Sequence, residues 1–272
     1  MIPTAPRPAL RAGAAPRRGG ALCVAARILA LALALPLFSA PPAAAAEPTI
    51  AELLDATDDL NRGASSHGVM AMQVQTARYT RSMKIEVWSQ GEDRSLVRLL
   101  EPAKDKGVST LRSGDNIWNY LPNVDRTVKV PSAMMGGAWM GSHITNDDLV
   151  RSSRLADDFV ATVKARPGQA GASSYLLELV ARPEAPVVWG SILVQISAAK
   201  IPEKIQYYDE SGKLVRTMTF EEVKVIDGRT MPTVQRVLPA DKPGEQTVMR
   251  FESMDFDVAL PEATFTLQAL KP

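Results

Sequence analysis

The sequence predicts a mainly β protein with short helices: an antiparallel sheet large enough to curl or close, with a helical insertion that can serve as a lid over its concave face. Three observations carry this prediction. Apolar and polar residues alternate with a period of two in about a dozen short runs set apart by turn residues. One amphipathic helix precedes them. The alternation breaks once, mid-chain, in a stretch rich in methionine and glycine.

Residues 1–46 read as an export signal and are set aside before any fold is argued. Arg7, Arg11, Arg17, Arg18 and Arg27 form a basic region without an acid, and the apolar run 28–38 is shorter than the ~20 residues a membrane helix needs. Ala44, Ala45 and Ala46 then supply the small residues of a cleavage site, so the mature chain is expected to start at Glu47, in the periplasm. Gly19 and Gly20 follow Arg17 and Arg18 where twin-arginine export wants apolar residues, which favours ordinary secretion. Cys23, the single cysteine, would leave with the signal, so disulfides and cysteine chemistry are excluded by count. Without those five arginines the 31 basic and 30 acidic side chains become 26 and 30, a formal charge of −4. No basic footprint for nucleic acid remains. The 226 mature residues suit one sizeable domain, 47–272.

Each element follows from local chemistry. Thr49 with Glu52 makes a capping-box pattern, Ile50, Leu53, Leu54 and Leu60 fall near one helical face, and Gly63 stops the helix. Met70, Met72 and Val74 then alternate with smaller or polar residues, as do Met83, Ile85 and Val87. Half-buried antiparallel strands look like this. Strand runs continue at 96–100, 108–112, 117–121 and 126–130, and after the break at 174–181, 192–197, 204–209, 214–220, 231–238 and 246–256. Turn residues such as Ser113-Gly114-Asp115 and Lys242-Pro243-Gly244 separate them.

A sheet of this many strands twists and curls rather than staying flat. Its concave face needs filling, and one helix with one short insertion is little material for that. Either the core is loosely packed or a cavity has an occupant. The insertion, about 131–166, holds Met134, Met135, Trp139 and Met140 among Gly136, Gly137 and Gly141. Methionine adapts to irregular apolar partners and glycine lets a short segment swing, which suits a greasy lid. A plain cap on a ligand-free core fits the same residues. As a lid at 132–140, the segment should rest near Trp118 and Tyr120, with Trp139 as a gate whose removal leaves the sheet intact. Trp118 and Tyr120 read either as core or as ligand wall. Arg98 alternates with Leu96 and Leu100, and could grip a headgroup or a lid carbonyl, unless the buried face is instead Val97 and Leu99.

The sequence shows no catalytic apparatus: no nucleophile elbow, phosphate loop or dinucleotide fingerprint. His67 and His143 have no partner at metal-ligand spacing. Asp147 and Asp148, near His143, read as first-turn acids of a helix capped by Thr145 or Asn146. No cofactor or metal is expected.

Several motifs together are specific. The stretches Gly114-Asp115-Asn116-Ile117-Trp118-Asn119-Tyr120-Leu121-Pro122, Arg126-Thr127-Val128-Lys129-Val130-Pro131, Trp139-Met140-Gly141-Ser142 and Thr145-Asn146-Asp147-Asp148-Leu149-Val150 closely resemble the outer membrane lipoprotein-sorting proteins, a LolA-like family. So do Val187-Val188-Trp189-Gly190, Tyr207-Tyr208-Asp209, Leu214-Val215-Arg216-Thr217-Met218-Thr219-Phe220 and Asp241-Lys242-Pro243-Gly244. The likeness runs from about Leu54 to the C-terminus. It implies a LolA/LolB-like open half-barrel whose concave side is apolar and covered by helices, in a superfamily of the carrier LolA, its receptor LolB, mycobacterial lipid carriers and the regulator RseB. No binding residues carry over from it, and His143 stands where relatives often have an acid.

On this resemblance the chain is expected to be a periplasmic, non-enzymatic carrier that binds acyl chains of lipoproteins or lipids for transfer to the outer membrane. Met70, Met72, Val74, Met83, Ile85, Val87, Trp118 and Tyr120 are the expected acyl-binding wall. Met134, Met135, Trp139 and Met140 are the expected lid. An inner-membrane ABC or RND-type exporter and an outer-membrane receptor are the expected partners. The alternatives are a RseB-like periplasmic sensor or an accessory of an RND or ABC lipid exporter.

Overall fold

The structure, a computed structural model, describes residues 47–271 except 115, 151–154, 184 and 186. The expected export signal lies outside the described residues. The described chain opens on helix α1, Ile50–Asp58, and its capping box is formed: the Glu52 N–H donates to Thr49 Oγ1 at 3.2 Å and the Thr49 N–H to Glu52 Oε2 at 3.0 Å. Leu53 and Leu54 of α1 are buried, and Gly63 takes the left-handed conformation that turns the chain toward the sheet.

Six strands follow as one antiparallel meander: β1 (Ser65–Gln75), β2 (Thr80–Gln90), β3 (Arg94–Glu101), β4 (Ser109–Ser113), β5 (Asn116–Leu121) and β6 (Arg126–Lys129). Two short helices, α2 (Asn146–Val150) and α3 (Leu155–Asp158), lie in the long connection after them. A second meander comprises β7 (Phe159–Ala165), β8 (Ser174–Ala181), β9 (Ser191–Ser197), β10 (Pro202–Tyr208), β11 (Leu214–Ile226), β12 (Arg229–Pro239) and β13 (Gln246–Phe256). Pairing of β1 with β13 joins both into one 13-stranded sheet with β6 and β7 at its edges. No helix among the described residues is long and apolar enough to cross a membrane.

The sequence reading places the end of the insertion at 166, whereas β7 already begins at Phe159. The strand does alternate, with Phe159, Ala161 and Val163 facing in and Val160, Thr162 and Lys164 exposed, but the exposed Val160 and the small Ala161 weaken the contrast at its start.

The sheet curls. Strands in a sheet lie about 4.8 Å apart, so β2 and β9, six strand positions apart, would be ~29 Å apart if it were flat. Yet Ile85 of β2, Ile192 and Val194 of β9 and Leu53 and Leu54 of α1 belong to one packed cluster, with Val237 of β12 and Met249 of β13. This is the concave face. The connection between edge strands β6 and β7 supplies a lid: its described residues Ile144, Leu149 and Leu155 lie against this face.

The opposite face of β3–β5 carries its own cover. Leu96, Leu111 and Tyr120 pack with Phe265 and Leu270 of the C-terminal segment, and Trp88, Trp118 and Leu260 border this cluster. Arg98 of β3 lies on this side, donating to the Ala269 carbonyl and stacking over Trp88 at 5.4 Å, while Val97 and Leu99 enter the concave core.

Candidate functional site: an apolar cavity under a clasped lid

A cavity of about 250 Å³ lies between the concave sheet, the α1–β1 connection and the lid. Met70, Val87, Met218, Phe220 and Met249 supply apolar wall from the sheet, and Ile144, Leu149 and Leu155 close it from the lid side. At the end nearest the α1–β1 connection the lining turns polar and charged, with Thr57, Asp58, Asn61 and Arg62 from the end of α1 and that connection and Ser89, Glu92, Arg94 and Ser95 from β2, β3 and the turn between them. Period two explains the two serines: Val87 and Ser89 share a face of β2, and Val97 and Ser95 share a face of β3.

Of the expected wall, Met70 and Val87 line this cavity. Met72, Val74, Met83 and Ile85 share their face but are sealed in the core. Trp118 and Tyr120 require a correction, because they project to the other face of β5, under the C-terminal segment. Their neighbours Ile117 and Asn119 take the concave side, where Asn119 Oδ1 accepts from Thr110 Oγ1 at 2.8 Å. Both faces of β5 are covered, so burial pattern alone could not tell them apart.

The expected lid residues separate likewise. Trp139 is 3% exposed within the main core, its Nε1 3.4 Å from Thr110 Oγ1, on the face of the sheet opposite Trp118 and Tyr120. It is core, not a free-swinging gate at those two residues. Met140 packs partly against the core in a left-handed conformation, and Gly141 follows it in the same region. Those two residues make the sharp turn that drops Trp139 inward. Met134 is 60% exposed and Met135 half-buried, and neither joins the core cluster.

What holds the lid is a clasp that the sequence reading does not single out. Arg216 of β11 pairs with Asp148 of α2 through both guanidinium nitrogens, Nη2 to Oδ1 at 2.6 Å. The Arg216 side chain is only 4% exposed, and its guanidinium lies over the Tyr207 ring at 4.2 Å and the Trp189 ring at 4.5 Å. Asp148 also closes the N-terminus of α2: its Oδ2 accepts from the Thr145 N–H at 2.8 Å, while its own N–H donates to Thr145 Oγ1 at 3.0 Å. Burial disfavours the Asp148 carboxylate, but the adjoining Arg216 and the Thr145 bonds prevail and hold it below the usual carboxylate range. Burial pushes the Tyr207 phenol up to about 12. A signal for the clasp exists, since Arg216 shares strand parity with Met218 and Phe220.

Two further ties reinforce it. The His143 ring bridges Thr247 Oγ1 at 2.9 Å and Glu245 Oε2 at 3.0 Å, so its surroundings are those of a structural tether. Tyr79 Oη donates to the Gly141 carbonyl at 2.9 Å and Arg81 to that of Met140 at 3.2 Å. Among the described residues no group of three His, Cys, Asp or Glu side chains could hold a metal ion.

Solved structures share this architecture. A DUF1329 family protein from Desulfovibrio piger is similar over 81% of this chain and 97% of its own, at 21% identity and a TM-score of 0.73. A protein from Vibrio parahaemolyticus described as an outer membrane lipoprotein-sorting protein domain matches over 82% and 98%, at 21% identity and a TM-score of 0.70. A LolA superfamily protein from Nitrosomonas europaea matches over 80% and 97%, at 23% identity and a TM-score of 0.67. The fold is therefore LolA-like, an open antiparallel sheet with few short helices, as the motif resemblance implies. A family model described as "-like: Uncharacterized protein" matches residues 91–272, about two thirds of the chain, and the chain belongs to that family. No functionally curated protein matches the sequence.

Proposed function

We propose that this protein is a periplasmic carrier that shelters acyl chains of lipoproteins or lipids on their way to the outer membrane. The observation that supports this most is an apolar cavity on the concave face, roofed by a lid that a buried ion pair clasps to the wall. A core with no cargo needs neither the cavity nor a polar clasp where apolar packing would serve as well.

A 16-carbon chain costs on the order of 12 kcal/mol to expose to water, at about 0.8 kcal/mol per methylene. A carrier must offset most of that. The cavity, about 250 Å³ and partly open to solvent, falls below the roughly 300–1,000 Å³ of drug-sized ligand sites. It takes part of a chain as it stands, and loading a whole chain requires the lid to part from the wall. The export signal read at 1–46 supports a periplasmic setting, with an inner-membrane ABC or RND-type exporter as donor and an outer-membrane receptor as acceptor.

The test is solvent extraction of gently purified protein, followed by titration with a fluorescent fatty acid. Co-purified lipid, or saturable probe binding that changes little with salt, is expected. Protein that yields no lipid and binds no probe contradicts the carrier reading.

A further inference from the structure

The β5–β6 corner of the sheet gathers exposed apolar and basic side chains that neither the core nor the clasp uses. Leu121, Val124 and Val128 are all exposed, Val124 at 60%. Two single-turn helices, Ala103–Asp105 and Pro122–Val124, meet there, Asn123 Nδ2 donating to the Lys104 carbonyl at 3.4 Å. Pairing sets Arg126 beside Leu121 and Val128 beside Asn119, with Lys129 beside Trp118. Lys104, Lys106, Arg126 and Lys129 are thus close to the three apolar residues. All four are exposed, and none has an ion pair among the described residues. The acids nearby are engaged: Asp105 by Arg81 and Asp125 by Lys271, each at 2.7 Å, while Glu101 lies opposite Lys84. From Arg126 to Thr145 the sequence holds no acid.

We infer that this corner docks the protein on the surface of a bilayer containing anionic phospholipid. Leu121, Val124 and Val128 enter the headgroup region, and the four bases meet lipid phosphates. The inference does not rest on the carrier reading. Charge complementarity selects the occupant, because residues 47–272 carry 26 bases against 30 acids and this corner is a positive exception. Bases near an anionic leaflet each favour binding, and shallow burial of apolar side chains adds to it. Three of the four bases are lysines, which protein interfaces disfavour but whose long stems reach headgroups beside buried apolar groups. Bases on an edge strand can serve simply to repel other strands. Lys104 and Lys106 lie off β6, however, and repulsion gives no use to three exposed apolar neighbours. Exposed Val223 and Val225 of β11 lack such company, since Glu222 beside them pairs with Lys224 and Arg250.

The test is cosedimentation of protein purified after export with vesicles of equal parts phosphatidylethanolamine and phosphatidylglycerol, and with vesicles of phosphatidylcholine alone. Binding to the anionic vesicles that weakens with added salt, and little binding to phosphatidylcholine, is expected. Arg126→Gln combined with Lys129→Gln should weaken it about 25-fold, at roughly fivefold per base, without moving Tm. Val124→Ser should weaken it as well, whereas Val225→Ser and the cavity-filling Val87→Phe should leave it unchanged. Absence of vesicle binding, or binding that the double variant retains in full, overturns the docking surface and leaves the carrier reading standing. Binding lost in Val87→Phe yet kept in the double variant means that the cavity holds the lipid, which also overturns the docking surface. So does a dimer, seen by sedimentation velocity, that the double variant dissociates while no vesicle is bound, because the corner then belongs to a second copy of this chain.

Discussion

Asp148→Asn is the most informative perturbation, because it alters the lid's clasp without removing side-chain volume. The asparagine keeps an oxygen for the Thr145 N–H but no charge for Arg216, whose side chain is 4% exposed. Stranding one partner of a buried ion pair costs about 3–5 kcal/mol. The retained hydrogen bonds place this variant at the low end, about 3 kcal/mol, which is roughly a hundredfold in an equilibrium constant. Opening the lid exposes Arg216 to water and relieves that cost, so the penalty falls on the closed state. Hydrogen exchange reads it directly. The lid amides of Trp139, Asn146 and Leu149, which donate to Ile144, Gly137 and Thr145, should exchange about a hundredfold faster, while those of β8 and β9 keep their protection. Combining Asp148→Leu with Arg216→Met should restore lid protection, because apolar residues of similar volume can replace a buried pair at little cost. Unchanged lid exchange, or equal acceleration in lid and sheet, would refute the reasoning.

Other perturbations separate the two faces of the sheet and the charge state of the clasp. The Asp148 carboxyl lies below its ordinary value of 3.8, so its contribution is fully present above that value and is lost as pH falls through the depressed one. Release of a bound acyl probe should therefore be steady from pH 8 to 5 and accelerate below about pH 4, an acid step that Asp148→Asn should lack. Trp139→Ala should cost about 3–5 kcal/mol and lower Tm by roughly 10 °C, measured by calorimetry, because Trp139 is packed in the main core. Phe265→Ala should also lower Tm, by removing cover from Leu96, Leu111 and Tyr120, while leaving acyl-probe affinity unchanged, since that cluster lies on the other face.

The fold was legible in the sequence wherever alternation had contrast. Met72, Val74, Met83 and Ile85 announced two strands and the face they bury, and Thr49 with Glu52 announced the first helix. Contrast was weak at the start of β7, where an apolar Val160 faces out beside the small inward Ala161, although Thr162 and Lys164 continue the outward face. At β5 the pattern was visible but its direction was not, because the C-terminal segment buries the face that the lid does not. The clasp was hidden for a different reason. Asp148 reads locally as a helix-capping acid, which it is, and its partner Arg216 lies 68 residues further on. Only the parity of Arg216 with Met218 and Phe220 hints that a charge enters the concave side. The position of the lid is likewise a tertiary fact, carried by Ile144, Leu149 and Leu155 against the concave face.

The central claim, that the concave cavity receives the acyl chain, is tested most directly by photolabelling with a fatty acid bearing a diazirine near its methyl end, with the labelled peptides read by mass spectrometry. The account predicts covalent label on cavity residues, chiefly Met70, Met218, Phe220 and Met249, and its loss in Val87→Phe, where the larger side chain fills the space. Label on the exposed apolar residues of the β5–β6 edge, Leu121, Val124 and Val128, with the cavity unlabelled, would contradict it.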